Sequence, residues 1–197
     1  MRIGVLALQG DFALHAAALR RAGVEPAEVR KPAALEDVDG LILPGGESTT
    51  LLHLMDAWAF GPALRAFHGS GRPLFGTCAG LILLAREVEG PRQPSLGLID
   101  VTVERNSYGR QRESFEALAE AEARSDLARG APFRMVFIRA PRIRHLGPGV
   151  DVLIRHEGDP VLARQGPVLV STFHPELTDD LTVHRYFCRM VETGAAA

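Results

Sequence analysis

The stretch "RPLFGTCAGLILLA", residues 72–85, reads as a short apolar strand, PLFGT, that turns through a single thiol into an apolar helix, AGLILLAREV. Cys78 stands in the turn, with Gly76 and Gly80 two positions to either side. This is a G-x-C-x-G corner, with Cys where the nucleophile elbow of hydrolases carries Ser. Its glycines relieve a tight turn whose backbone angle a Cβ would forbid, and they let a substrate reach the sulfur. A helix N-terminus also offers the positive end of a dipole, a field that suits an anion. By itself the corner fits a packed core cysteine as well.

Working outward, strand and helix signals alternate. "RIGVLAL" (2–8) is an apolar run of strand length, and "DFALHAAALRRAG" (11–23) opens on a capping Asp and closes on Gly, as a helix does. "VEPAEVR" (24–30) is a second strand and "DGLILPGG" (39–46) a third. "STTLLHLMDAW" then begins a helix capped by Ser48 or Thr49, which "FGP" (60–62) interrupts before "ALRAFHG" resumes it. This β-α-β-α order predicts parallel strands with helices on both faces and right-handed crossovers. Ligands in such sheets bind at the carboxyl ends of the strands. Gln9-Gly10, Pro44-Gly45-Gly46-Glu47-Ser48 and Gly76-Thr77-Cys78 all fall there, on one shared edge.

Beyond residue 88 the rhythm changes. "LGLIDVTVERN" (96–106) and "SFEALAEAEA" (114–123) alternate at period two, which predicts half-exposed antiparallel strands around the polar turn "SYGRQR". "FRMVFIRAP", "DVLIRHEG", "DPVLARQG" and "PVLVSTFHPE" are further strands, with hairpin turns at "GDP" and "QGP". The last helix, "TVHRYFCRMVETG", carries Val183, Tyr186, Phe187, Met190 and Val191 as one apolar stripe.

Bulk composition excludes several classes. The chain has 197 residues, 46% hydrophobic and 23% charged, which suits one soluble domain spanning 1–197. A net charge of −2 gives no electrostatic footprint for nucleic acid or an anionic membrane. Lys31 is the only lysine and Asn106 the only asparagine, a depletion of thermolabile amides that fits a heat-adapted source or a skewed codon supply. The N-terminal apolar run is too short to span a bilayer and lacks a cleavage pattern, so the expected location is cytoplasmic. Cys78 and Cys188 are then expected as free thiols.

Cys78 has candidate partners. In "STFHPEL" (171–177), His174 and Glu176 lie two apart, on one side of an extended chain. A carboxylate there can accept the imidazole Nδ1–H and leave the other nitrogen free to take a thiol proton, the logic of a nucleophile–base–orienter triad. A Gly-Gly turn before a helix can present a backbone N–H to an oxyanion, and the Ala79 amide can present a second. A zinc site from Cys78, His174 and Glu176 is conceivable, but no C-x-x-C or H-E-x-x-H supports it.

These residues resemble a known family. "FGTCAGLILLA", "LILPGGEST" and "STFHPEL" look like the three signatures of class I (triad-type) glutamine amidotransferases. "LALQGD", "PGGEST", "VERNSYGRQRESFEA" and "FIRAP" narrow the likeness to the glutaminase subunits of pyridoxal 5′-phosphate (PLP) synthase, over residues 3 to about 187. The resemblance implies a flavodoxin-like α/β three-layer sandwich with a mixed, mainly parallel sheet and a small antiparallel portion. It implies that Cys78 attacks the side-chain amide of L-glutamine, that His174 moves the proton, and that Glu176 orients His174. Gly46 and Ala79 would form the oxyanion hole, completed by a peptide flip near the Gly-Gly turn. Gly46, Glu47, Ser48, Arg105, Ile138 and Arg139 match substrate-contacting positions. The implied partner is the synthase subunit, with twelve glutaminases on a double ring of twelve synthases and an ammonia tunnel between active sites. No cofactor and no metal are expected in this chain, since PLP is the complex's product.

One position departs. Family members often carry Glu before the histidine of the first helix, where this chain has Leu14-His15, so no contact of that acid is carried over. His53, His68, His145 and His156 lack paired context, Cys188 reads as a packed thiol, and Arg110 and Arg112 as a solvated or partner-facing turn. Two rivals stay open: an amidotransferase subunit feeding a different synthase, and a thiol sensor or binding module in which Cys78 is oxidised. A sensor needs neither His174-x-Glu176 nor an oxyanion hole.

Overall fold

The computed structural model describes residues 1–105, 107, 114–122, 127 and 132–194. Its centre is set by short apolar runs that have no polar face to turn to water. β1 (Ile3–Leu6), β3 (Gly40–Leu43), β4 (Leu74–Thr77) and β12 (Val168–Ser171) are buried at every position. Strands buried on both faces need helices on both sides, and parallel crossovers supply them. With β2 (Pro26–Val29), β10 (Asp151–His156) and β11 (Asp159–Gln165) they form a seven-stranded sheet in the order β10-β11-β12-β4-β3-β1-β2. The pairs from β2 to β12 are parallel, and β12–β11 and β11–β10 are antiparallel.

Alternate residues feed two cores. Ile3, Val5, Ile42, Phe75 and Leu169 pack with α1 (Phe12–Arg21) and α5 (Thr182–Glu192). Leu6, Leu41, Leu43, Leu74 and Val170 pack with α2 (Ser48–Ala57), α3 (Phe60–Gly69) and α4 (Ala79–Leu84). The α5 stripe is buried as its spacing predicts, and Cys188 with it. Both cysteines are free thiols, and burial, the main cause, pushes the Cys188 thiol up to about 11.

The structure corrects the element reading in three places. The helix after Cys78 ends at Leu84, and Ala85–Glu89 is a strand, β5. The carbonyls of Leu83 and Leu84 accept from the amides of Leu96 and Leu98, so a distant segment ends the helix. The half-exposed strands β6 (Ile99–Glu104) and β7 (Ser114–Ala119) both exist but do not pair with each other. β6 lies between β5 and β9 (Arg142–Leu146), whereas β7 pairs with β8 (Phe133–Ile138). Alternation reports which face is buried and carries no information on the neighbour. "FGP" opens α3 and does not interrupt it, because Pro62 falls in the first turn, where its missing N–H is no loss. Asn106 and residues 108–113, which include Arg110 and Arg112, lie outside the described residues.

The glycines of the Cys78 corner serve packing. A Cβ on Gly80 would overlap the Leu43 carbonyl oxygen, and one on Gly76 would sit 2.7 Å from the Gly80 carbonyl group. The positive backbone angle is on Cys78 itself (φ 48°, ψ −100°). Close approach of α4 to β3 and β4 therefore presses Cys78 into its strained turn. Gly80→Ala is expected to lower stability by about 1–3 kcal/mol, an overpacking cost against backbone, read from the urea midpoint at unchanged m-value.

Candidate active site

Loops from the carboxyl ends of β1, β3 and β4, with residues following β6, β8 and β12, enclose a cleft of about 370 Å³. Gln9, Asp11, Gly46, Glu47, Ser48, Cys78, Ile82, Arg105, Ile138, Arg139 and His174 line it. Of the residues singled out in the sequence, only Ala79 and Glu176 are not in its wall. Ala79 is the first residue of α4, directly after Cys78, and Glu176 lies behind His174.

His174 arrives through backbone bonds. Its amide donates to the Val136 carbonyl of β8 at 2.8 Å, while the Cys78 amide donates to the Ser171 carbonyl at 2.9 Å. Sheet ladders thus bring two residues 96 positions apart (174 − 78) to one point. Glu176 does not lie on extended chain. His174 is extended (φ −105°, ψ 90°), but Pro175–Leu177 is a turn of 3-10 helix. That turn, rather than a strand's alternation, brings Glu176 Oε1 to 2.8 Å from His174 Nδ1. With Nδ1 so engaged, the ring's other nitrogen is the one free for Cys78, which shares the cleft wall with His174 and lies near enough to act on its charge.

Electrostatics follow from burial and pairing. Cys78, His174 and Glu176 are 7%, 3% and 5% exposed, so water does little to screen them. Burial, the largest influence, disfavours the imidazolium, yet bonds and charges from Cys78 and Glu176 together raise His174 to about 10. Burial likewise pushes the Glu176 carboxyl up, and the charges of His15 and His174 with the His174 bond outweigh it and lower the carboxyl.

Two expected caps are reassigned. Asp11 makes no side-chain cap on α1; its carboxylate faces the cleft, with Oδ2 3.6 Å from His174 Nδ1. Glu47, not Ser48 or Thr49, caps α2, accepting from the amides of Thr49 at 3.2 Å and Thr50 at 2.7 Å. The Thr50 amide in particular lowers the Glu47 carboxyl below its ordinary range. Glu47 also lies 3.7 Å from Arg105, whose Nη2 donates to Thr49 Oγ1. Ser48 is buried and donates to Gln93 Oε1 at 3.1 Å. Ile138 is partly exposed at the cleft, and Arg139 holds a positive φ of 44°.

The Gly-Gly turn is clamped from β1. Gln9 Oε1 accepts the Glu47 amide at 3.0 Å, and the Gly45 carbonyl accepts the Asp11 amide at 3.2 Å. A Cβ on Gly45 would overlap the His174 ring, so only glycine lets the imidazole lie against this turn. Asp11, His174 and Glu176 offer donor atoms within 4.8 Å of one another, the one metal-like cluster among the described residues. Within it, His174 Nδ1 and Glu176 Oε1 are already paired with each other.

Ile82 and Gln93 escaped the sequence reading, Asp11 was read only as a helix cap, and a buried pair, His15 and His184, was missed as well. The pair left a signal. His15 lies on the face of α1 that carries Leu19, four residues on, and His184 adjoins the apolar stripe of α5.

Known proteins share this arrangement's chain. The model of the SNO glutamine amidotransferase family matches residues 5–193. The chain is 53% identical, over 98% of its length and all of the relative's, to "Pyridoxal 5′-phosphate synthase subunit PdxT" of Thermotoga neapolitana. It is 52% identical to the protein of the same description in Geobacillus sp. (strain WCH70), with both chains covered in full. A solved structure described as a glutamine amidotransferase superposes with a TM-score of 0.89 at 50% identity, over 96% of this chain and 98% of that one.

Replacing Glu176 by Gln removes the charge that upholds the His174 imidazolium. The His174 midpoint, followed by NMR of the ring, is expected to move down from about 10. An unmoved midpoint would detach Glu176 from His174.

Proposed function

Because the chain belongs to the SNO glutamine amidotransferase family, we propose that it is the glutaminase subunit of a PLP synthase, hydrolysing L-glutamine to L-glutamate and ammonia. The observation that carries this reading is the buried Cys78–His174–Glu176 chain of contacts at the cleft. Cys78 sulfur attacks the side-chain amide carbon, and the carbonyl becomes a tetrahedral oxyanion. His174 gives its proton to the nitrogen, the C–N bond breaks, and ammonia leaves a γ-glutamyl thioester on Cys78. Water then attacks the thioester and loses its proton to His174, the C–S bond breaks, and glutamate departs. Glu176 holds the ring and balances its charge when protonated.

The amides of Ala79 and Gly46 serve the oxyanion. The Gly45 carbonyl is tied to the Asp11 amide, so a flip of the Gly45–Gly46 peptide would break that bond. Completing the oxyanion hole then depends on something outside the resting chain, and docking of the synthase subunit supplies it. Arg105 and Arg139 bring positive charge for the substrate α-carboxylate, and Glu47 the opposite charge for its α-ammonium, with Gly46, Ser48 and Ile138 shaping the wall. A cleft of about 370 Å³ is of a size for one small metabolite.

Ammonia passes through a protein tunnel to the synthase subunit, in an assembly of twelve glutaminases on a double ring of twelve synthases. Leu14 on α1 and Leu177 on the adjoining 3-10 turn are exposed apolar side chains on neighbouring elements, as a docking face requires. The single domain 1–197 works in the cytoplasm; none of its described helices is long and apolar enough to cross a membrane.

Glutamate release from glutamine is measured with and without the synthase subunit, alongside mass spectrometry for an acyl adduct on Cys78. Strong stimulation by the synthase is expected. Cys78→Ala is expected to abolish release while leaving folding and docking intact; full turnover by that variant would sink the nucleophile assignment. Gly45→Ala, which displaces the imidazole, should cost about 100-fold in kcat, the scale of a misplacement near 1 Å.

A further inference from the structure

Glu176 uses only one of its oxygens on His174. Oε1 accepts Nδ1 at 2.8 Å, whereas Oε2, fully buried, has no hydrogen-bond partner of good geometry among the described residues. A buried carboxylate does not stay ionised with half its acceptors idle unless a donor stands near. The group that stands there is His15, with Nε2 3.4 Å from Oε2.

His15, from α1, and His184, from α5, are both 0% exposed. Their rings meet with His15 Nδ1 3.0 Å from His184 Nε2, and His15 Nε2 is 3.1 Å from Thr77 Oγ1. Phe75 closes the site with its edge against both rings, so neither imidazole has water to turn to.

Two tautomers satisfy the His–His contact, and their neighbours tell them apart. If His15 carried its hydrogen on Nδ1, its bare Nε2 could accept from the Thr77 hydroxyl but would also set a lone pair 3.4 Å from the Glu176 carboxylate. His184 would then need its hydrogen on Nδ1, which is buried and has no partner among the described residues. That arrangement leaves an orphaned N–H and a repulsive contact. With hydrogens on both Nε2 atoms, His184 donates to His15, and the His15 N–H donates to Thr77 Oγ1 at 3.1 Å while its positive edge lies 3.4 Å from Glu176 Oε2. Only an acceptor, His184 Nδ1, is then left unused.

We propose that His15 is a positioning residue for Glu176: its Nε2–H serves carboxylate Oε2, and His184, donating to His15 Nδ1, locks the tautomer that allows it. The inference rests on the reading of Cys78, His174 and Glu176 as the reacting group. It extends that group into one line, from the sulfur at the cleft through two buried histidines to α5.

Burial disfavours the charged form of both rings. Burial, the largest influence, lowers His15 against the opposing charge of Glu176, with His174 and Asp11 the other charges that act on it and His184 its ring neighbour. Burial, then His15, pushes His184 down to about 3, with Glu176 and Arg21 the other charges it faces. A donor at Oε2 favours the ionised carboxyl, so its loss makes Glu176 protonate at higher pH.

The test uses the full chain with its synthase partner and compares His15→Leu with His15→Gln, whose amide N–H can take the place of Nε2–H. His15→Leu is expected to lower kcat about tenfold with KM within about twofold, the scale of one hydrogen bond to a charged group. The acid limb of its kcat/KM profile should move to higher pH, and His15→Gln should restore both to within about threefold of the parent. Equal losses in the two variants, or an unchanged pH profile in His15→Leu, would overturn the role. Long-range proton–nitrogen NMR of the histidine-labelled parent chain gives an answer that needs neither variant nor turnover. Nε2–H on both rings supports the proposal, and Nδ1–H on His15 overturns it. An inactive parent chain would refute the glutaminase reading, while the NMR result would still decide the placement of His15.

Discussion

A negative charge sealed from water governs the site. Glu176 is 5% exposed, and an isolated carboxylate at that depth would simply take up a proton. It stays ionised because imidazoles from two directions, His174 and His15, address its two oxygens. The same charge lifts His174 to about 10. The signs set a stability window. The raised His174 contributes stability that is whole below its unfolded value near 6.5 and is lost as pH rises through about 10. The lowered Glu176 contributes stability present above its unfolded value and lost as pH falls through its folded one.

Around that charge the backbone is held in conformations that ordinary residues avoid. Cys78 and Arg139, both lining the cleft, have positive φ, and His174 rests on a turn where only Gly45 leaves room. Such strain persists where the surroundings over-determine it. Here they do: α4 is pressed onto β3 at Gly80, while the Gln9 side chain and the Asp11 amide clamp the Gly-Gly turn. The clamp holds the Gly45 carbonyl in one orientation, beside the buried Cys78 and His174.

Much of this was legible because it is written locally. The apolar runs at 3–6, 40–43 and 74–77 are buried strands, and the carboxyl-end rule gathers Gln9, Gly46 and Cys78 at one edge. That Cys78, His174 and Glu176 come together was legible from residue chemistry at two corners. Pairing of the period-two strands was not, since β6 and β7 show which side faces inward and nothing about which strand lies alongside. Nor was the short span of α4, ended by amides from Leu96 and Leu98 that no local pattern foretells. Asp11 reads as a helix cap by position, yet its carboxylate serves the cleft, a choice made by the approach of His174.

The amino-acid order alone determined the parallel α/β layering and the presence of a thiol, an imidazole and a carboxylate at strand ends, because hydrophobic period and turn chemistry are properties of neighbouring residues. Tertiary structure decided which side chains became electrically one unit. His15 and His184 are 169 positions apart, and each by itself is a histidine on an apolar helix face. Only when α1 and α5 pack on the same side of the sheet do their rings meet beneath Glu176. Water is excluded there, and a hydrogen bond counts because nothing else can replace it.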